Sequence, residues 1–232
     1  MIHEDPFSST FRSIAARVAA AAADAGHPAK LLAVSKTKTA DVIRRLARQG
    51  QSAFGENYVQ EAIEKQRELS DLAIEWHMIG PLQSNKCRAV AENFDFLQTL
   101  DRARLLEPLA RWRPPTRKPL DVLIQVNIDD EASKSGCAVH ELATLAEKIV
   151  VLPMLRLRGL MAIPAPVADL HLRVEAFHRM RSLFEELRVS IPSIDTLSMG
   201  MSDDFELAIA HGSNLVRIGT ALFGARDLRQ QN

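Results

Sequence analysis

An excess of charge of either sign is missing from this sequence. Lys and Arg total 29, Asp and Glu total 29, and the formal net charge is zero. With no basic excess and no block of like charges, the composition argues against a dedicated nucleic-acid binder and against a solvating tail. Cysteine is nearly absent. Cys87 and Cys137 show no CxxC and no paired spacing, which argues against a disulfide framework or a zinc site and suits a reducing compartment. No apolar run reaches the ~18 residues that a membrane span needs. The stretch FSSTFRSIAARVAAAAADAGHPAK has Arg12 and Arg17, but its supposed apolar core lacks Leu and Phe and is interrupted by Asp24. It reads as an amphipathic helix over about residues 8–25, ended by Gly26 and Pro28, rather than as a signal peptide. The expectation is a cytoplasmic protein. Chemical motifs are also scarce. No GxGxxG follows the first strand pattern, and GTALFGAR lacks the Lys-Ser/Thr of a phosphate-binding P-loop. His77, His140, His171, His178 and His211 fall at no metal-ligand spacing.

What is present is alternation. Short β-type runs, KLLAVSK, SAFGE, IEWHMIG, DFLQTL, DVLIQVNI, RLRGLMAI, DTLSMG and NLVRIGT, are separated by longer segments with helical spacing. In LHLRVEAFHRMRSLFEELR, for instance, Phe177, Met180, Phe184 and Leu187 share one stripe and belong to a core. Pro108 in LLEPLARW kinks or restarts the fourth helix. Eight strands and seven intervening helices predict an α/β fold, a (β/α)8 TIM barrel with an extra N-terminal helix. The barrel occupies about residues 30–226 of a single 1–232 domain. The segment after the eighth strand is short, so the N-terminal helix is expected to cover that gap.

Active sites of such barrels lie at the C-terminal ends of the strands, with phosphate often held after strands seven and eight. Those ends carry Lys36, then Glu56 and Asn57, His77 with Gly80, Asn127, Arg158 with Met161, and finally SMGMSDD and RIGT. In SMGMS, Ser198 or Ser202 offers a hydroxyl, Gly200 permits close backbone approach, and the Met201 segment opens a helix whose free N–H groups favour an anion. Gly219 and Thr220 repeat that kit after Arg217. The plain alternative makes Ser202 an N-cap, and Asp203 and Asp204 count against an anion unless they point away.

A lysine ending a buried strand opposite a phosphate seat suggests Schiff-base chemistry with a phosphorylated carbonyl compound. The attacking amine must be neutral, and moving a lysine from a pKa near 10.4 to about 7 takes roughly 4–5 kcal/mol. Burial and a nearby cation such as Arg217 act in that direction. Lys36 is favoured over Lys38, which already sits in a helix-start loop. Two chemistries remain open on the residues alone: a sugar-phosphate aldolase, or a pyridoxal phosphate protein.

AVSKTK, FGENYVQEA, WHMIGPLQSNK, KSG, RGLMAI and LSMGMSDDFELAIAHGSNLVRIGTALFGAR, which together span about Leu31 to Arg226, resemble the pyridoxal phosphate homeostasis proteins, stand-alone relatives of the alanine racemase barrel domain. The resemblance implies pyridoxal 5'-phosphate as cofactor, Lys36 as the Schiff-base lysine and Arg217 as the arginine facing the pyridine nitrogen. It implies a phosphate seat around Ser202, Gly219 and Thr220, and pocket-lining roles for the motifs holding Asn57 and His77. It also implies a non-enzymatic holder of the cofactor in vitamin B6 homeostasis, with apo-enzymes as candidate recipients. Transfer calls for reversible release, and Lys134 in the loop EASKSG is a candidate helper amine for transimination, with a solvated loop lysine as the favoured plain alternative. Monomer is the default expectation. The runner-up is a low-activity amino-acid racemase. Similar racemases use a further β domain and a tyrosine from the partner subunit, whereas this sequence stops after the eighth strand and its only tyrosine, Tyr58, reads as a packed helix-start residue. An aldolase ranks last, because such barrels carry their lysine where this chain has Arg158.

Overall fold

The computed structural model describes residues 6–131, 134–165 and 169–224. Each apolar run becomes a strand: β1 Lys30–Val34, β2 Ala53–Glu56, β3 Glu75–Met78, β4 Phe96–Leu100, β5 Leu120–Gln125, β6 Leu155–Met161, β7 Thr196–Ser198 and β8 Leu215–Ile218. All are parallel, each pairs with its sequence neighbour, and β8 returns to β1 through Lys30↔Leu215 to Ala33↔Ile218, which closes the barrel. Strands buried on both faces need apolar residues throughout rather than in alternation. β5, LDVLIQ, is buried at every position.

The helices are α1 Pro6–Ala25, α2 Ala40–Ala47, α3 Val59–Glu68, α4 Cys87–Asn93, α5 Leu106–Trp112, α6 Leu142–Val150, α7 Leu170–Ser190, α8 Phe205–Ala210 and α9 Thr220–Phe223. They lay their apolar stripes on the barrel's outer surface. Phe177, Met180, Phe184 and Leu187 of α7 are all buried there. A 3-10 turn, Ala103–Leu105, precedes α5, and Pro108 falls in that helix's first turn, so it marks a restart. The gap after β8 is covered as expected. α1 packs against α8 and α9, stacking Phe7 near Phe223 at 5.8 Å and setting Arg17 4.8 Å over Phe205 and 2.7 Å from Glu206.

The main core lies between strands and helices, whereas the barrel interior holds a small separate apolar cluster, Phe96, Leu123 and Met161. Among the described residues, no helix is long and apolar enough to cross a membrane.

Candidate functional site

The C-terminal ends of β1, β2 and β8 and the loop after β7 enclose a cleft of about 290 Å³, near the lower end of the ~300–1,000 Å³ usual for small-molecule sites. Lys36, Asn57, Met201, Ser202, Arg217, Gly219 and Thr220 line it, joined by Lys38, Ile163 and Phe223. Seven residues named from sequence are thereby brought to one place. Lys36 follows β1 directly and is half-buried. Lys38 also enters the cleft, its Nζ donating to the Phe223 carbonyl at 3.3 Å.

The Asn57 carboxamide oxygen is buried without a hydrogen-bond partner. A buried acceptor left unpaired costs about 1–3 kcal/mol, so this atom suits a donor on a bound molecule. Its position depends on Gly80, where an added Cβ would stand 2.2 Å from the Asn57 carbonyl oxygen.

The two loops read as an anion seat are tied together. Ser202 does not cap α8; Asp204 holds that position, and the Ser202 hydroxyl accepts the Ala221 N–H at 3.2 Å. Asp204 turns back to accept the Met201 N–H at 2.7 Å and lies 3.7 Å from Arg173, whereas Asp203 stays exposed on the cleft's lining. Gly200 does not line the cleft. It makes the bend behind the lining, with φ +90° and an added Cβ only 2.5 Å from that of Ala208.

Arg217 is 4% exposed, and among the described residues no carboxylate lies within ion-pair distance of it. Burial pulls the guanidinium down to about 10, with only a compensating field from Asp204. It remains cationic at neutral pH. Its Nη2 donates to the Ala162 carbonyl at 2.8 Å and its Nη1 to the Ser198 hydroxyl at 2.6 Å. Ser198 donates to Gln98 Oε1 at 2.7 Å, the Gln98 amide lies 2.9 Å from His77 Nδ1, and His77 Nε2 lies 2.7 Å from Glu75. With the His77 proton on Nε2, every donor points the same way, from the Arg217 cation to the Glu75 carboxylate. Hydrogen bonds so aligned polarise one another. The bond from His77 holds Glu75 below the usual carboxylate range against the opposing effect of burial.

This chain crosses the barrel from β8 to β7, β4 and β3, and it places two residues differently from the sequence reading. His77 does not reach the cleft. It lies at the opposite mouth of the barrel with Lys30, Glu75 and Arg158, stacked 4.6 Å from Phe96. Ser198 sits beneath Arg217, fully buried, rather than on the lining. Arg158 also belongs to the opposite mouth, paired with Asp121 and Asp195 at 2.6 and 2.7 Å. Asn127 binds its own loop at Glu131, and Lys134 pairs with Asp129 at 2.8 Å; neither lines the cleft. Tyr58 is 57% exposed at the start of α3, so the expectation of a packed aromatic is corrected, and it lies off the cleft.

Sequence reasoning missed Gln98 and Lys65. A lone amide inside the apolar DFLQTL was a usable signal for the first. Lys65, four residues after Glu61, has the spacing of an ordinary exposed helix pair, yet its ammonium is buried against Glu56 and Glu61.

A family model described as alanine racemase, N-terminal domain, matches residues 10–227. The pyridoxal phosphate homeostasis protein of Pasteurella multocida is 57% identical over 202 residues, covering 85% of this chain and 87% of its own. The Escherichia coli protein of the same name is 56% identical over 200 residues, covering 85% and 86%. The solved structure of PipY from Synechococcus elongatus, with PLP bound, superposes with a TM-score of 0.83 at 34% identity, covering 94% of this chain and all of that one.

Proposed function

The chain belongs to the pyridoxal phosphate homeostasis proteins, within the alanine racemase N-terminal-domain family, and from that premise we propose that it holds pyridoxal phosphate on Lys36 and passes it on without turning over a substrate. One observation carries the reading: a single cleft joins a lysine at the end of β1 to a buried arginine at the end of β8.

The residues present fit the cofactor. The unpaired Asn57 oxygen and the buried Arg217 cation, which has no carboxylate within ion-pair distance among the described residues, both call for a polar ligand between them. When bound, the cofactor would supply an aldehyde carbon able to condense with a neutral primary amine, its oxygen leaving as water, and Lys36 is the amine placed to hold it. Ser202, Gly219 and Thr220 hold the phosphate, through a hydroxyl on each loop and the close backbone approach that Gly219 allows. Arg217 faces the ring nitrogen. A permanently charged guanidinium disfavours a second positive charge beside it, so Arg217 keeps a proton off that nitrogen and weakens the electron withdrawal that carbanion chemistry needs. The site retains the cofactor more readily than it uses it. Recipients are apo-enzymes that take the aldehyde up. The two buried, free cysteines suit a reducing compartment, and the reading places this store in the cytoplasm.

The test is a pair of assays on cofactor-loaded protein. Transfer to an apo-enzyme, followed by recovery of that enzyme's activity, is expected, with no exchange of the α-hydrogen of alanine in deuterium oxide. Enantiomer-scrambling exchange at a steady catalytic rate would replace this reading with a racemase.

A further inference from the structure

Lys36 stands in a turn that its own sequence does not favour. The Ser35 carbonyl accepts the Lys38 N–H at 3.0 Å, and Thr37 between them has φ +65°. With Lys36 itself outside the positive-φ region, this is a type II turn, whose third position normally takes Gly or Asn. A β-branched residue is strained there, and such strain persists only where surrounding contacts hold it.

Those contacts come from α3. The Lys65 ammonium, 7% exposed, donates to the Ser35 carbonyl at 2.9 Å, to Glu56 Oε1 at 2.8 Å and to Glu61 Oε1 at 2.5 Å. An ammonium has three donors, and all three are used. Glu61 Oε1 also accepts the Thr37 N–H at 2.6 Å, and the Ser35 hydroxyl donates to Glu56 at 2.6 Å. The residue before Lys36 and the residue after it are therefore both fastened to one buried cluster of a lysine and two glutamates.

We propose that Lys65, Glu56 and Glu61 are positioning residues that lock the Ser35–Lys38 turn and thereby aim the Lys36 amine into the cleft. Its use for capture of pyridoxal phosphate rests on the function proposed above, whereas the locked turn stands on its own geometry. Without the Glu61 carboxylate, Thr37 loses the bond that compensates its backbone strain and leaves the left-handed region. Lys36 then swings with the turn.

Two measurements on full-length Glu61→Ala and Glu61→Gln test this, with Glu64→Ala, at an exposed position of the same helix, as control. The first is amide hydrogen exchange at Thr37 in cofactor-free protein. The second is the rate at which pyridoxal phosphate is fixed on Lys36 by borohydride. Glu61→Ala is expected to speed the exchange and slow the fixation by at least about tenfold each, the size of a lost charge-assisted bond. Glu61→Gln keeps an acceptor oxygen and is expected to stay within about threefold of wild type, where a role in charge alone would move it with alanine. Unchanged Thr37 exchange in Glu61→Ala, or unchanged Lys36 fixation beside a released Thr37, overturns the proposal. Wild-type protein that fixes no cofactor on Lys36 overturns the function instead, and Thr37 exchange then decides the turn by itself.

Discussion

Replacing Gln98 with leucine keeps the volume and apolar burial of that position but cuts the chain between Arg217 and Glu75 at its middle. Gln98 is fully buried, and both halves of its amide are engaged, by the Ser198 hydroxyl at 2.7 Å and by His77 Nδ1 at 2.9 Å. Leucine leaves the Ser198 hydroxyl proton and His77 Nδ1 buried without partners, although Ser198 keeps its bond from Arg217 and His77 its bond to Glu75. At about 1–3 kcal/mol for each orphaned group, the loss is roughly 2–6 kcal/mol, a large part of the ~5–15 kcal/mol that holds a domain folded. For a chain of this size about 2–4 °C accompanies each kcal/mol, so thermal unfolding should fall by at least roughly 4 °C. Arg217 loses its orientation at the same time, and the protein's affinity for pyridoxal phosphate should fall with it. Differential scanning calorimetry reads the loss. A Gln98→Leu protein that melts within about 2 °C of wild type would refute the chain as a supported unit.

Other substitutions probe single supports. Gly200→Ala must adopt φ +90° and bring its Cβ within 2.5 Å of Ala208, which should cost about 2–5 kcal/mol and lower the urea midpoint; an unchanged midpoint would show that the β7–α8 bend is not constrained as described. Glu56 is held above the usual carboxylate range, chiefly by burial. A raised folded value gives stability that is present below the unfolded carboxylate pKa and lost as pH rises through the folded one. The melting advantage of wild type over Glu56→Gln should therefore shrink from acid to neutral pH, and calorimetry showing it constant or growing would contradict the burial argument. Burial raises both thiols, Cys137 to about 12, so alkylation at mild alkaline pH should label neither in the folded protein and both in denaturant, as counted by mass spectrometry. Rapid labelling of Cys137 in folded protein would contradict its burial.

The fold was legible because each strand and helix declares itself locally. The runs from KLLAV to NLVRI carry β-type apolar residues, the segments between them carry helical stripes, and strictly alternating strands and helices leave few topologies. The lining of the cleft was legible where a residue follows its strand, as Lys36, Asn57, Ser202 and Gly219 do, because loop residues at that end face the opening. Inside the strands the same reasoning placed Arg217 on the cleft but failed for two other residues. His77 and Ser198 were placed by their nearness to a strand end, but an inward side chain there can meet a partner across the barrel before it meets the cleft. His77 meets Gln98 and Glu75, and Ser198 meets Gln98 and Arg217. Those partners lie on β3, β4, β7 and β8, and no local pattern connects them. Lys65 was hidden for the opposite reason: its i, i+4 pairing with Glu61 looks like surface chemistry, and only the approach of α3 to the end of β1 buries it. Tyr58, read as packed, is the plainest miss, since a helix-start aromatic gives no sign of which way it faces.

The most direct test of the Schiff-base site is the visible spectrum of the purified protein incubated with pyridoxal phosphate, before and after borohydride reduction, followed by peptide mapping. The expected result is a yellow protein that bleaches on reduction and carries the fixed cofactor on the peptide bearing Lys36. A protein that stays colourless, or whose adduct maps to Lys38 or Lys134 while Lys36 stays unmodified, would contradict it.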